Sequence, residues 1–172
     1  MKAAQNKAFT IAELIIAMSI LAMLLAAVAG AVHSSFHGYD ENTKIADASQ
    51  TVRAAVERIA RDVRTATAVN TTSSTITIIP PDDGSGLEQI QYDYTGSTLV
   101  YRRTVSGQTT SSDLLGTGDN ITIIAFTVTR EMGQDWQGLD CTKSITAYLS
   151  FTIDNQTTET TFSAAPRRNQ LY

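Results

Sequence analysis

Hydrophobic and polar positions divide this chain into three stretches. From Leu14 to Val32, 19 residues pass without a charge and with apolar side chains on every helical face. A stretch of that length and composition predicts a helix long enough to cross a hydrocarbon core of about 30 Å. A polar passage follows from His33 to Thr43. Beyond it Ile45, Val52, Val56, Ile59 and Val63 recur at steps of 7, 4, 3 and 4, the spacing of one apolar helical stripe with charges on the remaining faces. Glu57 with Arg61 and Arg58 with Asp62 stand at i,i+4, where an ion pair adds a few tenths of a kcal/mol, roughly 0.2–0.5, to an exposed helix. The pattern therefore predicts one helix from Phe9 to about Ala68, near 90 Å at roughly 1.5 Å per residue, apolar all round in its first half and amphipathic in its second. Its weak points are Gly30, Gly38 and the polar passage, since Gly costs about 1 kcal/mol relative to Ala within a helix.

From Thr71 the chain turns to Thr, Ser, Ile, Val and Tyr punctuated by Gly, Asp and Pro. Thr75 to Ile79, Glu88 to Tyr94, Thr98 to Thr104, Asn120 to Arg130, Ser144 to Asp154 and Thr157 to Ser163 read as strands, with period-two alternation at Ile90, Tyr92 and Tyr94. Residues 80–86, Gly96-Ser97, residues 116–119 and Asn155-Gln156 supply the turns. These connections are too short for helical crossovers, so the sheet is expected to be mainly antiparallel. Val52, Val56, Ile59 and Val63 then have a sheet face to cover, which gives an α+β head of about 130 residues, large enough for one core.

Glu13 is out of place in this pattern, an acid at the start of a membrane-length apolar run. An ionised residue at mid-membrane depth lies about 2.5–3.5 kcal/mol uphill, so a carboxylate there calls for a partner. Upstream, Lys2 and Lys7 make a short basic leader without acids, which by the positive-inside tendency stays cytoplasmic. Leader, Ala8, then Phe9-Thr10-Ile11-Ala12-Glu13 and an apolar helix together resemble the class III signal of type IV prepilins and pseudopilins. The match covers about 25 residues, and two positions depart from the family pattern. Ala8 stands where Gly is usual, and Ala12 is smaller than the bulky aliphatic common before the Glu.

That resemblance implies a leader of residues 1–8, a transmembrane and filament-core helix over 9–33, and a periplasmic or extracellular head over 34–172. It implies cleavage between Ala8 and Phe9 by a prepilin peptidase, N-methylation of Phe9, and Glu13 as the fifth mature residue. Methylation leaves the amine basic, so Phe9 of one subunit is a cation for Glu13 of its neighbour, or for its own Glu13 before assembly. A buried pair of this kind is weak evidence of net stability and better suited to fixing register. Implied partners are the other minor and major pilins or pseudopilins, with an inner-membrane platform and a cytoplasmic ATPase acting indirectly.

Two blocks, Arg53 to Ala66 and Thr161 to Asn169, look more loosely like the W-type minor pilins and the J-type minor pseudopilins of type II secretion. By that analogy the chain is a low-abundance subunit of a tip or initiation complex. Two readings compete with it. Ala29-Gly30-Ala31 has the small-residue pattern of an ordinary signal-peptide cleavage site. A membrane-anchored or secreted binding module would use the N-terminus only as an address, and would gain nothing from Glu13.

Composition changes this picture little. The precursor carries a net −4, and loss of Lys2 and Lys7 makes the remainder two units more negative, which argues against general nucleic-acid binding. A basic patch from Arg102, Arg103, Arg167 and Arg168 reads as a solvated face, and Trp136, Tyr101 and Tyr148 read as core or interface residues. With two histidines, one cysteine, no phosphate-cradling glycine loop and no nucleophile elbow, no enzymatic activity and no cofactor are expected. His33 and His37 share a helix face with Asp40 or Glu41 but lack an evident further ligand, so no metal is expected there. Asp82, Asp83 and Ser85 offer oxygens without EF-hand spacing and read as a solvated turn. Cys141, the single cysteine, excludes an intrachain disulfide.

Overall fold

The structure, a computed structural model, describes residues 10–116, 118, 120–134, 138, 140–153 and 156–166. The chain divides into two compact units, Met1–Lys44 and Ile45–Tyr172. One helix, α1 (Ile11–Thr65), contributes to both. It runs unbroken through Gly30 and Gly38, so the expected weak points do not interrupt it. A Cβ added at either glycine would meet nothing within 4 Å, so neither is required by a close approach. In the first unit the large apolar side chains from Ile11 to Val32 are all exposed.

The helix stops at Thr65, three residues before the expected end at Ala68. Sheet pairing ends it. The Ala66 amide still reaches back to the Val63 carbonyl at 3.3 Å, but the Thr67 amide donates to Ile79 at 2.8 Å, and Ala68 is already paired with Ile79. Arg64, in the last turn, complements the negative end of the helix dipole.

The second unit holds eight strands in two sheets where the sequence predicted one. A five-stranded meander contains β1 (Ala68–Thr71), β2 (Thr75–Ile79), β3 (Leu87–Tyr94), β4 (Leu99–Val105) and β5 (Gln108–Leu115) in that order. A three-stranded sheet contains β6 (Thr122–Gln134), β7 (Asp140–Ile153) and β8 (Gln156–Ala164). Every neighbouring pair is antiparallel, as short connections require. The six expected strands appear, Thr75–Ile79 with the ends expected of it and the other five with shifted ends, and β1 and β5 are additions. β1 is only four residues long, and both faces of β5 are exposed from Gln108 to Asp113, so no alternation marks either. The β4–β5 turn places Ser106 at φ 49° and Gly107 at φ 77°. Two successive positive φ values match the type I′ twist of a two-residue hairpin, and Gly is the residue that adopts one without steric cost.

The core lies between the second part of α1 and the sheets. Val52, Ile59 and Val63 are buried as the stripe predicted, Ile45 and Val56 are half-buried, and Ala48, Ala55 and Ala60 are small enough to bring the helix close. β7 shows the period-two signature, burying Ile145, Ala147, Leu149, Phe151 and Ile153. Each fully buried aliphatic side chain contributes about 1.5–3 kcal/mol, so the stripe alone accounts for much of the helix–sheet attachment.

The two predicted i,i+4 ion pairs do not close; the salt bridges are Lys44–Asp40, Arg102–Asp93 and Lys143–Glu131 among the described residues. Asp62 instead accepts a 2.6 Å hydrogen bond from the Tyr92 hydroxyl on β3, and the Arg58 guanidinium lies 4.0 Å from the Tyr101 ring centroid on β4. A hydrogen bond to a carboxylate is worth about 1.5–3 kcal/mol and outcompetes an exposed i,i+4 pair. Burial, followed by the bond to Asp62, pushes the Tyr92 hydroxyl well above the ordinary tyrosine range. Opposing effects act on Arg58: partial burial lowers its pKa, and the tyrosines and Asp62 raise it to a net upward shift.

Candidate functional site

The features that set this chain apart gather at the start of α1. Thr10 is its N-cap. The Glu13 amide donates to the Thr10 hydroxyl oxygen at 3.3 Å, and Glu13 Oε2 accepts from both the Thr10 amide and the Thr10 hydroxyl at 3.1 Å. Thr10-Ile11-Ala12-Glu13 is thus a capping box, in which two orphan amides at the helix start are satisfied reciprocally. Glu13 also places negative charge in the first turn, where the helix dipole favours it. Both contacts fall on Oε2, and Oε1 takes no hydrogen bond from the described residues.

The carboxylate therefore has a use within its own chain, beside the one the sequence suggested. Thr10 is the residue that sequence reasoning passed over. Its signal was a Ser/Thr-x-x-Asp/Glu motif opening an apolar run, hidden because the same residues belong to the class III signal. Ala8 and Phe9 lie outside the described residues.

Downstream of the box, α1 contains a window of mean hydropathy 2.6 with no buried residue, long and apolar enough to cross a membrane. The one hydroxyl within the apolar run, that of Ser19, bonds the Ile16 carbonyl at 2.8 Å and needs no outside partner. Acid at the mouth, apolar wall and a satisfied Ser19 hydroxyl suit burial of this stretch in lipid or against other helices.

The remaining candidate residues are accounted for locally. The His33 and His37 rings meet edge to face, 5.1 Å between centroids. Among the described residues no group of three His, Cys, Asp or Glu is placed to hold a metal ion. Asp82 accepts from the Gly84 amide at 3.1 Å and Asp83 from the Ser85 amide at 2.9 Å, so both carboxylates tie their own turn. Bonds from Ser85 hold Asp83 below the usual carboxylate range. Arg102 is held by Asp93 at 2.9 Å, which removes it from the basic patch; Arg103 is exposed, and Arg167 and Arg168 lie outside the described residues. Tyr101 and Tyr148 are half-buried, and Trp136 lies outside the described residues. Cys141 is half-buried near Thr142, whose hydroxyl bonds the Val69 carbonyl at 2.6 Å.

Residues 4–29 match the family model for the prokaryotic N-terminal methylation motif. The match takes in the capping box and most of the apolar run and leaves the head uncovered. Among curated proteins and among solved structures nothing matches the chain.

Proposed function

We propose that this chain, which carries the N-terminal methylation motif of type IV pilin-type precursors, is a minor structural subunit of a type IV pilus or of a type II secretion pseudopilus. A motif of this kind belongs to structural rather than enzymatic proteins, and with the apolar helix it fits membrane anchoring. The precursor sits in the inner membrane as a single pass, residues 1–8 cytoplasmic and the head on the far side. A prepilin peptidase cuts between Ala8 and Phe9 and methylates the new amine. The subunit then leaves the bilayer for the filament, helix first, with other minor and major subunits as neighbours and the platform and ATPase supplying work indirectly. The loose resemblance of Arg53 to Ala66 and Thr161 to Asn169 to minor subunits supports a position in a tip or initiation complex.

The observation that carries this reading is an acid capped at the mouth of an exposed apolar helix. While the subunit waits in the membrane, Thr10 satisfies one oxygen of Glu13 and lowers the cost of holding a carboxylate at the membrane edge. In the filament, Oε1 receives the methylated amine of a neighbouring Phe9. A subunit docked one turn out of register would leave both charges unpaired in a low-dielectric core, a cost of several kcal/mol per ion by desolvation arguments of roughly that size.

The capping box itself favours a second reading, in which Glu13 serves only to start the helix of an anchored binding module. Separating cap from charge decides between them. Glu13→Gln keeps an oxygen for the Thr10 amide and removes the charge; Thr10→Val removes the cap and keeps it. The filament reading expects Glu13→Gln to insert normally yet be missing from sheared filaments, with Thr10→Val still incorporated. Normal incorporation of Glu13→Gln would leave the cap as the residue's whole purpose.

A further inference from the structure

The apolar surface of α1 does not end where the all-round apolar run ends. Val28, Val32, Phe36 and Tyr39 follow at steps of 4, 4 and 3, within roughly 80° of arc at about 100° per residue. All four are exposed, Phe36 and Tyr39 at 70% and 74%. Ala31, Val32, Ser35, Phe36 and Tyr39 together line a shallow, mostly apolar depression on the helix. On the opposite face, between roughly 140° and 220° of the same wheel, stand His33, His37, Glu41 and Lys44. Past Val32 the helix is therefore apolar on one side only.

Lengths place this stripe against a bilayer. Ile11 to Val32 spans about 33 Å at roughly 1.5 Å per residue, slightly more than the hydrocarbon core of about 30 Å. Phe36 and Tyr39 follow at about 6 and 10 Å along the axis, against roughly 5–7 Å of headgroup region on each side, so the Tyr39 backbone stands just outside that region and its ring enters by reaching back. Helical Cα–Cβ bonds tilt toward the N-terminus, so both rings reach back toward the hydrocarbon rather than away from it. An aromatic ring with a polar tip is suited to that boundary, and a one-sided pair favours one rotation and tilt of the helix over others.

We propose that Phe36 and Tyr39 are a one-sided interfacial anchor, seated at the headgroup–acyl boundary of phospholipid on the head's side of the membrane, which sets the depth and rotation of the stored subunit. The occupant is lipid because the stripe continues the membrane-length surface without a break and because its polar tip lies at headgroup depth. The proposal rests on the membrane-anchoring part of the functional reading and is independent of filament assembly. A consequence follows for extraction: the rings leave the lipid boundary before the all-round apolar stretch does.

The test uses the full chain in phosphatidylcholine vesicles containing lipids brominated at shallow or deep acyl positions. Tryptophan is placed singly by Val28→Trp, Phe36→Trp, His37→Trp and Tyr39→Trp in a Trp136→Phe background. Should that background fail to fold, the same variants are read as differences from the parent spectrum. The expected result is strong quenching for Val28→Trp, which lies within the hydrocarbon close to its far face, and shallow quenching for Phe36→Trp and Tyr39→Trp several-fold above His37→Trp. Equal, weak quenching at 36, 37 and 39 with Val28→Trp still quenched would overturn the anchor while leaving the span intact. Loss of quenching at all four positions would overturn span and anchor together. Shielding of Phe36→Trp that grows with the protein-to-lipid ratio would show a second copy on the stripe and overturn the lipid assignment.

Discussion

The two parts of α1 share one continuous backbone and opposite relations to their surroundings. Leu21 is 57% exposed and Ile11 78%, whereas Ile59 is 1% exposed and Val63 fully buried. Both parts are rich in aliphatics; the difference is what covers them. The second part carries its apolar residues as a stripe and its own sheets bury that stripe. The first is apolar on every face, and no single sheet can cover a cylinder. A helix that is hydrophobic all round is stable only within lipid or within other protein. The chain thus completes one half of its helix by folding and leaves the other to be completed by its environment.

The largest effect in the first part of the helix is expected at Glu13. Glu13→Ala should leave membrane insertion unchanged, by carbonate extraction, and abolish incorporation into filaments. In the second part, Ile59→Ala opens a cavity under the stripe and is expected to cost the head about 2–5 kcal/mol, read by denaturant unfolding, with insertion unaffected. If both substitutions impaired the same property, the division of labour along the helix would be wrong.

A smaller effect is expected from Tyr92→Phe at the helix–sheet seam. Loss of the hydroxyl bond to Asp62 should cost about 1.5–3 kcal/mol at neutral pH. The pH dependence has a definite sign. Tyr92 is raised in the folded state above its ordinary value of 10.0, so the unfolded chain releases that proton first and stability falls as pH rises past about 10. Tyr92→Phe should flatten the head's alkaline loss of stability, and an unchanged alkaline slope would remove Tyr92 as its source. The smallest effect is expected at Lys143, whose 2.7 Å contact with Glu131 lies on the open surface. Lys143→Ala should leave the melting midpoint of the head where it is, and added salt should change nothing further.

Legibility followed the same division. The all-round apolar run, the stripe from Val52 to Val63 and the alternating strands were visible because each is a periodicity imposed by burial. β5 was not, because a Thr- and Ser-rich strand exposed on both faces has no pattern to show, and Ser106-Gly107 is a weaker turn signal than Asn-Gly. The split into two sheets was hidden because ladder breaks depend on tertiary packing rather than on local sequence. Asp62 and Arg58 looked like partners from their spacing, yet each found a tyrosine on a strand about 30 or more residues away, a distance that no helical rule spans. At the candidate site Glu13 was plain from charge alone, while the role of Thr10 needed the hydrogen bonds.

In the function we propose, the first part of α1 is a processed assembly device rather than a removable address. Intact mass and N-terminal sequencing of the membrane-extracted protein, co-expressed with a prepilin peptidase, test it most directly. The expected product begins with N-methylated Phe9 and retains the whole apolar run. A product beginning near Val32 would mean a released head and would contradict it.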